Sequence, residues 1–252
     1  QLGLAYSIAA GVTNMVLDYV LIAVFHLGIA GAAIATVLGY VVGGIIPLFY
    51  FATGERSGLR LTRSQLYPRQ LLQACSNGSS ELMSNISSSV ISILYNLQLM
   101  RMVGELGVAA YSVMMYVDFV FVAAFLGFSI GSAPIVSYHY GADNQSELKS
   151  VFRKSLWVVG VTSAAMVVVS EVLSYPLSFA FVGYHPELLE MTVQGFRLFA
   201  LGYLFCGINI YASSFFTALC NGVVSALLSF LRSLLLRGGM VLLMPLLFGL
   251  DG

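Results

Sequence analysis

The chain has 252 residues, of which 59% are hydrophobic and only 9% are charged, and its mean hydropathy is +0.91. Soluble domains carry roughly 25% charged residues, so this composition excludes a soluble globular protein and predicts an integral membrane protein. Basic and acidic residues balance at 11 each. This balance excludes a basic nucleic-acid-binding domain and a basic peripheral membrane protein.

Seven apolar runs follow one another along the chain, each close to the roughly 20 residues that a membrane-spanning helix needs. They are predicted at residues 4–25, 30–52, 72–100, 108–137, 153–174, 190–218 and 222–248. The runs are continuous rather than alternating, which favours helices over the strands of a membrane β-barrel. The predicted fold class is therefore an all-α integral membrane protein, a polytopic helical bundle.

Basic residues concentrate between the second and third runs. They are Arg56, Arg60, Arg63 and Arg69. Because basic loops stay in the cytoplasm, residues 54–71 are predicted to form a cytoplasmic basic linker.

Polar residues interrupt the first run. Asn14 and Asp18 are four residues apart and so share one helix face. An acid inside an apolar helix costs roughly 2.5–3.5 kcal/mol on insertion scales, so Asp18 should face a protein or water-filled interior. Thr36 in the returning helix lies at a similar predicted depth. The three residues predict a small-cation or proton site, although Asp18 satisfied by Asn14 or by backbone remains the structural alternative.

The third run is unusually polar for a membrane helix. Asn77, Glu81, Ser84 and Ser88 share one face at helical spacing and are predicted to line a substrate cavity. The alternative is that small polar residues let the helices pack closely.

Three of the charged residues in the later runs are candidate functional or structural residues. Asp118 is predicted to be a cavity anion that attracts cationic compounds, the alternative being a hydrogen-bonded residue at a helix contact. Arg232 is predicted to pair structurally with an acid or with carbonyl groups between helices. Arg237, one turn further, has no predicted partner.

Two glycine pairs suggest an internal repeat. Gly28 and Gly31 follow the first run, and Gly249 and Gly252 follow the last with the same spacing. A parallel repeat of six helices predicts a twelve-helix protein, of which this chain would lack four helices at the front and one at the back.

Three stretches of the chain carry a family resemblance. They are NMVLDYVLIAVFHLGIAGAAIAT at 14–36, IGSAPIVSYHYGADN at 130–144 and LLSFLRSLLL at 227–236. Together they resemble the multidrug and toxic compound extrusion (MATE) transporters, and the whole chain is similar to helices five to eleven of their twelve. Ser137 and His139 depart from the family pattern, which commonly has Gly and Asn there.

The resemblance implies two six-helix bundles that face each other across a central cavity. Residues 1–53 would be the last two helices of the N-terminal bundle, and residues 72–252 the C-terminal bundle without its last helix. It implies a multi-pass protein of the cell inner (cytoplasmic) membrane, in contact with membrane lipids and monomeric when complete.

The resemblance also implies export of amphipathic, often cationic, drugs or metabolites by alternating access, driven by Na⁺ or H⁺. Asn14, Asp18 and Thr36 match the cation- or proton-site residues that part of the family carries in these helices. Glu81 lies in the helix where other members use an acid. An enzyme, a metal site and an organic cofactor are not expected, since no catalytic or phosphate-binding motif is present. The alternatives are a lipid-linked saccharide flippase of the same superfamily and a non-transporting membrane scaffold.

Overall fold

The computed structural model describes residues 2–53 and 65–249. Among these residues the regular secondary structure is helical and includes no strand, which confirms the predicted fold class. The helices are α1 (Leu2–Asp18), α2 (Gly28–Thr53), α3 (Pro68–Met102), α4 (Glu105–Gly141), α5 (Gln145–Val182), α6 (Pro186–Ala200), α7 (Tyr203–Ala218), α8 (Gly222–Ser229) and α9 (Gly238–Phe248). Two π-helical segments, Tyr19–Val24 and Phe230–Arg237, extend α1 and join α8 to α9.

All seven predicted runs lie in helices, and the sixth is broken into α6 and α7 by a bend of 49°. Within the described part of the chain, five spans are long and apolar enough to cross a membrane, or six if α6 and α7 form one span. The long helix α3 is not apolar enough to count among these spans. It has 35 residues but carries many serine and asparagine residues. Polarity rather than length therefore sets α3 apart.

The chain divides into two compact units, Gln1–Leu66 and Tyr67–Gly252, here called unit 1 and unit 2. Three arginines of the predicted basic linker, Arg56, Arg60 and Arg63, lie outside the described residues. Arg69 belongs to the first turn of α3.

Small residues hold unit 1 together. Gly31, Ala35 and Gly39 recur every fourth residue of α2 and are buried. A Cβ atom added to Gly39 would lie 3.0 Å from the Cβ atom of Asn14, so the missing side chain is what lets the two helices approach.

Unit 2 has a core of three successive clusters along its helices. Ala110, Val113, Val182 and Leu188 form the first, Phe125, Val159 and Tyr211 the second, and Val136, Leu148 and Ala218 the third. Every cluster contains residues of both α4 and α5, which therefore form the frame on which α6 and α7 pack.

The two glycine pairs share a backbone feature at their first members. Gly28 has φ +54° and Gly249 has φ +66°, a left-handed conformation that favours glycine where a helix begins or ends. Gly252, the last member of the predicted repeat, lies outside the described residues.

Candidate functional sites in the two units

Asp18 marks a change of helix type in unit 1. It is the last residue of α1, and the π-helical segment Tyr19–Val24 follows it directly. Asp18 is half-buried, as is Asn14 one turn earlier. Within the described residues, neither side chain makes a hydrogen bond or an ion pair. The Asp18 carboxylate can therefore still accept a hydrogen bond or bind a cation. It also lies beside a π-helical segment, a helix irregularity that is frequent at functional sites.

Contacts of three α2 glycines fix the antiparallel register of unit 1: Gly31 packs on Leu21, Gly39 on Asn14 and Gly43 on Ala10. In this register Asp18 lies level with Ala35 and Thr36. Ala35 faces α1 and is fully buried, whereas the neighbouring Thr36 is exposed. The Thr36 hydroxyl donates to the backbone oxygen of Ala32 at 2.9 Å. The predicted site residues therefore lie at neighbouring levels, but no hydrogen bond joins them.

A cavity of about 570 Å³ in unit 1 lies away from these residues. It occupies the other end of the helix pair, where Tyr6 and Ala10 face Gly43 and Tyr50.

The predicted cavity face of α3 separates into two parts. Asn77 is tied to the end of α7, because its amide donates to the backbone oxygen of Thr217 at 3.1 Å. Glu81 and Ser88 are exposed and Ser84 is half-buried. The Glu81 side chain has no ion-pair partner in the described part of unit 2. Asn77 thus holds helices together, while Glu81 remains open to a ligand.

A largely buried hydroxyl network that sequence spacing does not reveal joins α3, α7 and α8. Its members are Ser80, Ser213, Thr217, Ser225 and Ser229, linked by side-chain contacts of 2.9 to 3.1 Å. Thr217 links α3 to α8, since its hydroxyl contacts both Ser80 and Ser225. Every hydroxyl has a partner, so the network serves helix packing rather than ligand binding.

Asp118 is half-buried in α4 and faces residues from two other elements. Arg237, at the end of the second π-helical segment, interacts with it electrostatically without closing to an ion pair. Tyr203, the first residue of α7, directs its hydroxyl toward the same carboxylate. That hydroxyl is buried and falls short of hydrogen-bond geometry with any protein atom. The sequence suggests no partner for Arg237. In the structure, Arg237 is the basic residue whose charge acts on the Asp118 carboxylate.

Arg232 occupies the same π-helical segment and is half-buried. Its Nε donates to the neighbouring Ser233 hydroxyl at 3.4 Å, and in the described residues it makes no ion pair. The groups that act on it electrostatically are Cys206 and Arg237. Its predicted structural pairing with an acid therefore stays a prediction.

One ion pair forms within the described residues, between α5 and α6. Glu171 and Arg197 approach to 3.7 Å, and the Nε of Arg197 also donates to the Ser174 hydroxyl at 3.4 Å. Arg197 and Glu190 line a shallow groove of about 780 Å³. Sequence spacing could not indicate this pair, because its members belong to different helices.

Comparison with known proteins agrees with this architecture. The MatE family matches residues 82–240, more than half of the chain. The multidrug export protein MepA of Staphylococcus saprophyticus is 25% identical over 210 residues, which are 79% of this chain and 46% of that protein. This chain thus spans about half the length of that relative.

Solved structures show the same fold at low sequence identity. An outward-facing multidrug resistance MATE transporter of the MOP superfamily superposes with a TM-score of 0.87 at 19% identity, over 96% of this chain and 54% of that one. A mutant of the Vibrio cholerae transporter VcmN gives a TM-score of 0.84 at 23% identity, over 96% of this chain and 55% of that one. A MOP superfamily transporter from Pyrococcus furiosus, described as having a binding pocket of reversed polarity, gives 0.87 at 19% identity, over 96% and 54%.

Proposed function

The chain belongs to the MatE family, and from this membership we propose that it forms part of a cation-coupled antiporter for amphipathic, often cationic, compounds. The Staphylococcus saprophyticus relative is a multidrug export protein, which supports this proposal. Because the chain covers about half of that relative, the activity is assigned to the full-length protein. Export proceeds by alternating access, with Na⁺ or H⁺ as the coupling ion.

The observation that carries the proposal is the state of Asp18. Its carboxylate lies inside a membrane-spanning helix, half-buried and without a partner among the described residues. Such a group is costly in a membrane unless it binds something. A proton or Na⁺ on Asp18, with the neutral oxygens of Asn14 and Thr36, satisfies it, since hard cations prefer oxygen ligands.

Coupling follows if substrate and ion favour different conformations. The substrate binds in unit 2 against Glu81, Ser84, Ser88 and Asp118, with Asn77 holding that face in place. Occupation of Asp18 disfavours the substrate-binding conformation, and by reciprocity the substrate disfavours occupation of Asp18.

The test uses the full-length protein in liposomes, with a fluorescent organic cation inside and either a Na⁺ or a pH gradient imposed. Asp18→Asn should reduce gradient-driven transport at least about tenfold, because it removes the titratable anion. Asp143→Asn makes the same substitution at an exposed turn residue with φ +53° and should transport normally. Full gradient-driven transport by correctly folded Asp18→Asn would overturn the coupling role of Asp18.

A flippase for lipid-linked saccharides is the second candidate. The observation in its favour is the pair Arg232 and Arg237, two guanidinium groups within one membrane-spanning segment. Such a protein needs cationic groups that hold pyrophosphate. Two results together would favour this candidate. The wild-type protein would transport no organic cation under either gradient, and it would bind a lipid-linked saccharide only when the pyrophosphate group is present.

A further inference from the structure

Three basic residues and the single tryptophan of this chain cluster near the start of α5. Arg153 and Lys154 lie four and three residues before Trp157, so both are its neighbours on the helix surface, and Lys149 lies one turn before Arg153. All four side chains are exposed, that of Trp157 to 71%. These four residues are here called the α5 basic patch.

The α5 basic patch points away from the core of unit 2. Leu148 and Ser155 are buried and lie seven residues apart, on the face of α5 that packs inward. Trp157 follows Ser155 by two residues, which at 3.6 residues per turn places it on nearly the opposite side of the helix. Within the described part of unit 2, no helix therefore covers the Trp157 ring.

Contacts between helix ends place the patch on the side of the predicted basic linker. Asn77, near the start of α3, donates to the backbone oxygen of Thr217, near the end of α7, at 3.1 Å. Ala218, the last residue of α7, packs in one cluster with Leu148 of α5. The starts of α3 and α5 therefore lie at the same end of unit 2. Because residues 54–71 lead into α3, this end is the one predicted to be cytoplasmic.

The length of α5 places the patch at the level of the lipid headgroups. The helix has 38 residues and is therefore about 57 Å long, whereas the hydrocarbon core of a bilayer is about 30 Å thick. The apolar run predicted at 153–174 is what fills that core, so residues 145–152 extend beyond it. Tryptophan is enriched at the boundary between hydrocarbon and headgroups, which is where Trp157 lies.

No acid among the described residues forms an ion pair with the three bases of the patch. The ion pair that the described residues do form joins Glu171 to Arg197. The acids nearest in sequence have other roles. The Asp143 carboxylate accepts from the Gln145 amide at 3.3 Å, and Glu147 lies in the first turn of α5, where negative charge is favourable. The patch therefore presents three positive charges to whatever lies beside it.

Orientation of the chain in the membrane does not by itself require this arrangement. A cytoplasmic end needs basic residues, and a loop can supply them. Here the connection between α4 and α5, residues 142–144, contains one acid and no base. The bases lie instead in the second and third turns of α5, directly before an exposed tryptophan. They are thus displaced from the aqueous loop toward the headgroups, as expected where the bound group belongs to the membrane.

We propose that the α5 basic patch binds the headgroup of an anionic phospholipid in the cytoplasmic leaflet. Arg153 binds the lipid phosphate, because a guanidinium group donates two parallel hydrogen bonds to such a group, and Lys149 and Lys154 add positive charge around it. The Trp157 ring contacts the glycerol backbone and the first acyl carbons. This site lies outside the proposed substrate and coupling sites, so the inference goes beyond the proposed function.

The fluorescence of Trp157 reports what lies beside it. The full-length protein is placed in phosphatidylcholine bilayers that contain a small fraction of brominated lipid, whose bromine atoms quench nearby tryptophans. The Trp157 signal is the difference between the wild-type protein and Trp157→Phe. Brominated phosphatidylglycerol should be enriched beside Trp157 at least about fivefold over brominated phosphatidylcholine, since one basic residue near an anionic lipid contributes about that factor.

Substitution of the bases separates a binding site from a general surface charge. The double variant Lys149→Gln, Arg153→Gln should lose most of the enrichment, whereas Arg153→Lys keeps the charge without the planar group and should retain part of it. Arg69→Gln is the matched control, because it removes an exposed base at the same end of unit 2, in the first turn of α3. It should behave as the wild type. Equal thermal stability in pure phosphatidylcholine shows that the variants are folded.

Each of four results would overturn the inference. Equal quenching by the two lipids would mean that the patch has no preference for anionic lipid. Enrichment that survives the double variant, or that falls as far in Arg69→Gln, would mean that it reflects the overall charge of this surface. Quenching by neither lipid would mean that protein covers Trp157 in the full-length chain. None of these results bears on gradient-driven transport, so the export proposal is tested separately.

Discussion

The two π-helical segments differ in the charge that they place inside the membrane. In unit 1, Tyr19–Val24 directly follows an acid, Asp18. In unit 2, Phe230–Arg237 carries two bases, Arg232 and Arg237. Each segment changes the direction in which side chains point along its helix, and such π-helical irregularities are frequent at functional sites. The segment of unit 1 thus follows an anion that a small cation can neutralise. The segment of unit 2 contains cations that an anionic group can neutralise.

The two units also differ in how their helices are held. In unit 1, glycine and alanine allow α1 and α2 to approach closely, and no side-chain hydrogen bond joins the two helices at Asn14, Asp18 or Thr36. In unit 2, a hydroxyl network that includes Thr217 joins three helices. The position of Asp18 in unit 1 thus depends on the close approach of two backbones, whereas the position of Asn77 in unit 2 depends on a hydrogen bond.

Filling the close contact of unit 1 should have the largest effect. Gly39→Leu places a side chain where even a Cβ atom lies 3.0 Å from Asn14. The expected loss of stability is about 1–3 kcal/mol, the usual cost of overpacking. Gly44→Leu is the matched control, because no atom lies within 4 Å of a Cβ built there. Thermal unfolding of the purified full-length protein measures both, and equal melting temperatures would contradict the close-packing account.

Breaking the hydroxyl network of unit 2 should cost less. Thr217→Val keeps the side-chain shape but removes the hydroxyl that contacts Ser80 and Ser225. The expected destabilisation is about 1 kcal/mol, the typical net value of a hydrogen bond. Thr162→Val, a half-buried residue of α5 with no hydrogen bond in the described part of the chain, should change stability less. A larger loss of stability in Thr162→Val than in Thr217→Val would show that the network does not stabilise the packing of α7.

Removing the Thr36 hydroxyl should give the smallest effect, on ion affinity rather than on stability. Thr36 and Thr13 each donate to the backbone oxygen four residues earlier, at 2.9 and 2.7 Å. Thr36→Val should weaken Na⁺-dependent transport severalfold, while Thr13→Val should not, because only Thr36 lies level with Asp18. Identical Na⁺ dependence of the two variants would remove Thr36 from the proposed cation site.

Local sequence determined which parts of the fold could be predicted. Long apolar runs such as 108–137 and 222–248 specify spanning helices, so the all-α fold followed from composition and length. The π-helical segments did not follow, because neither YVLIAV at 19–24 nor FLRSLLLR at 230–237 contains a proline or glycine that would mark a change of helix type.

Pairings between distant helices were equally hidden from the sequence. Asn77 shares a helical face with Glu81, but only the structure shows its amide on the Thr217 backbone. Arg237 was conspicuous as a base in an apolar helix, yet its relation to Asp118 and Tyr203 needs three helices in place.

The most direct test of the coupling role of unit 1 measures transport of a fluorescent organic cation by the full-length protein in liposomes under an imposed Na⁺ or pH gradient. Asp18→Asn should abolish the gradient dependence, because it removes the titratable anion that precedes the π-helical segment of unit 1. Gradient-driven transport at the wild-type rate, in Asp18→Asn protein that remains folded, would contradict the assignment of coupling to unit 1.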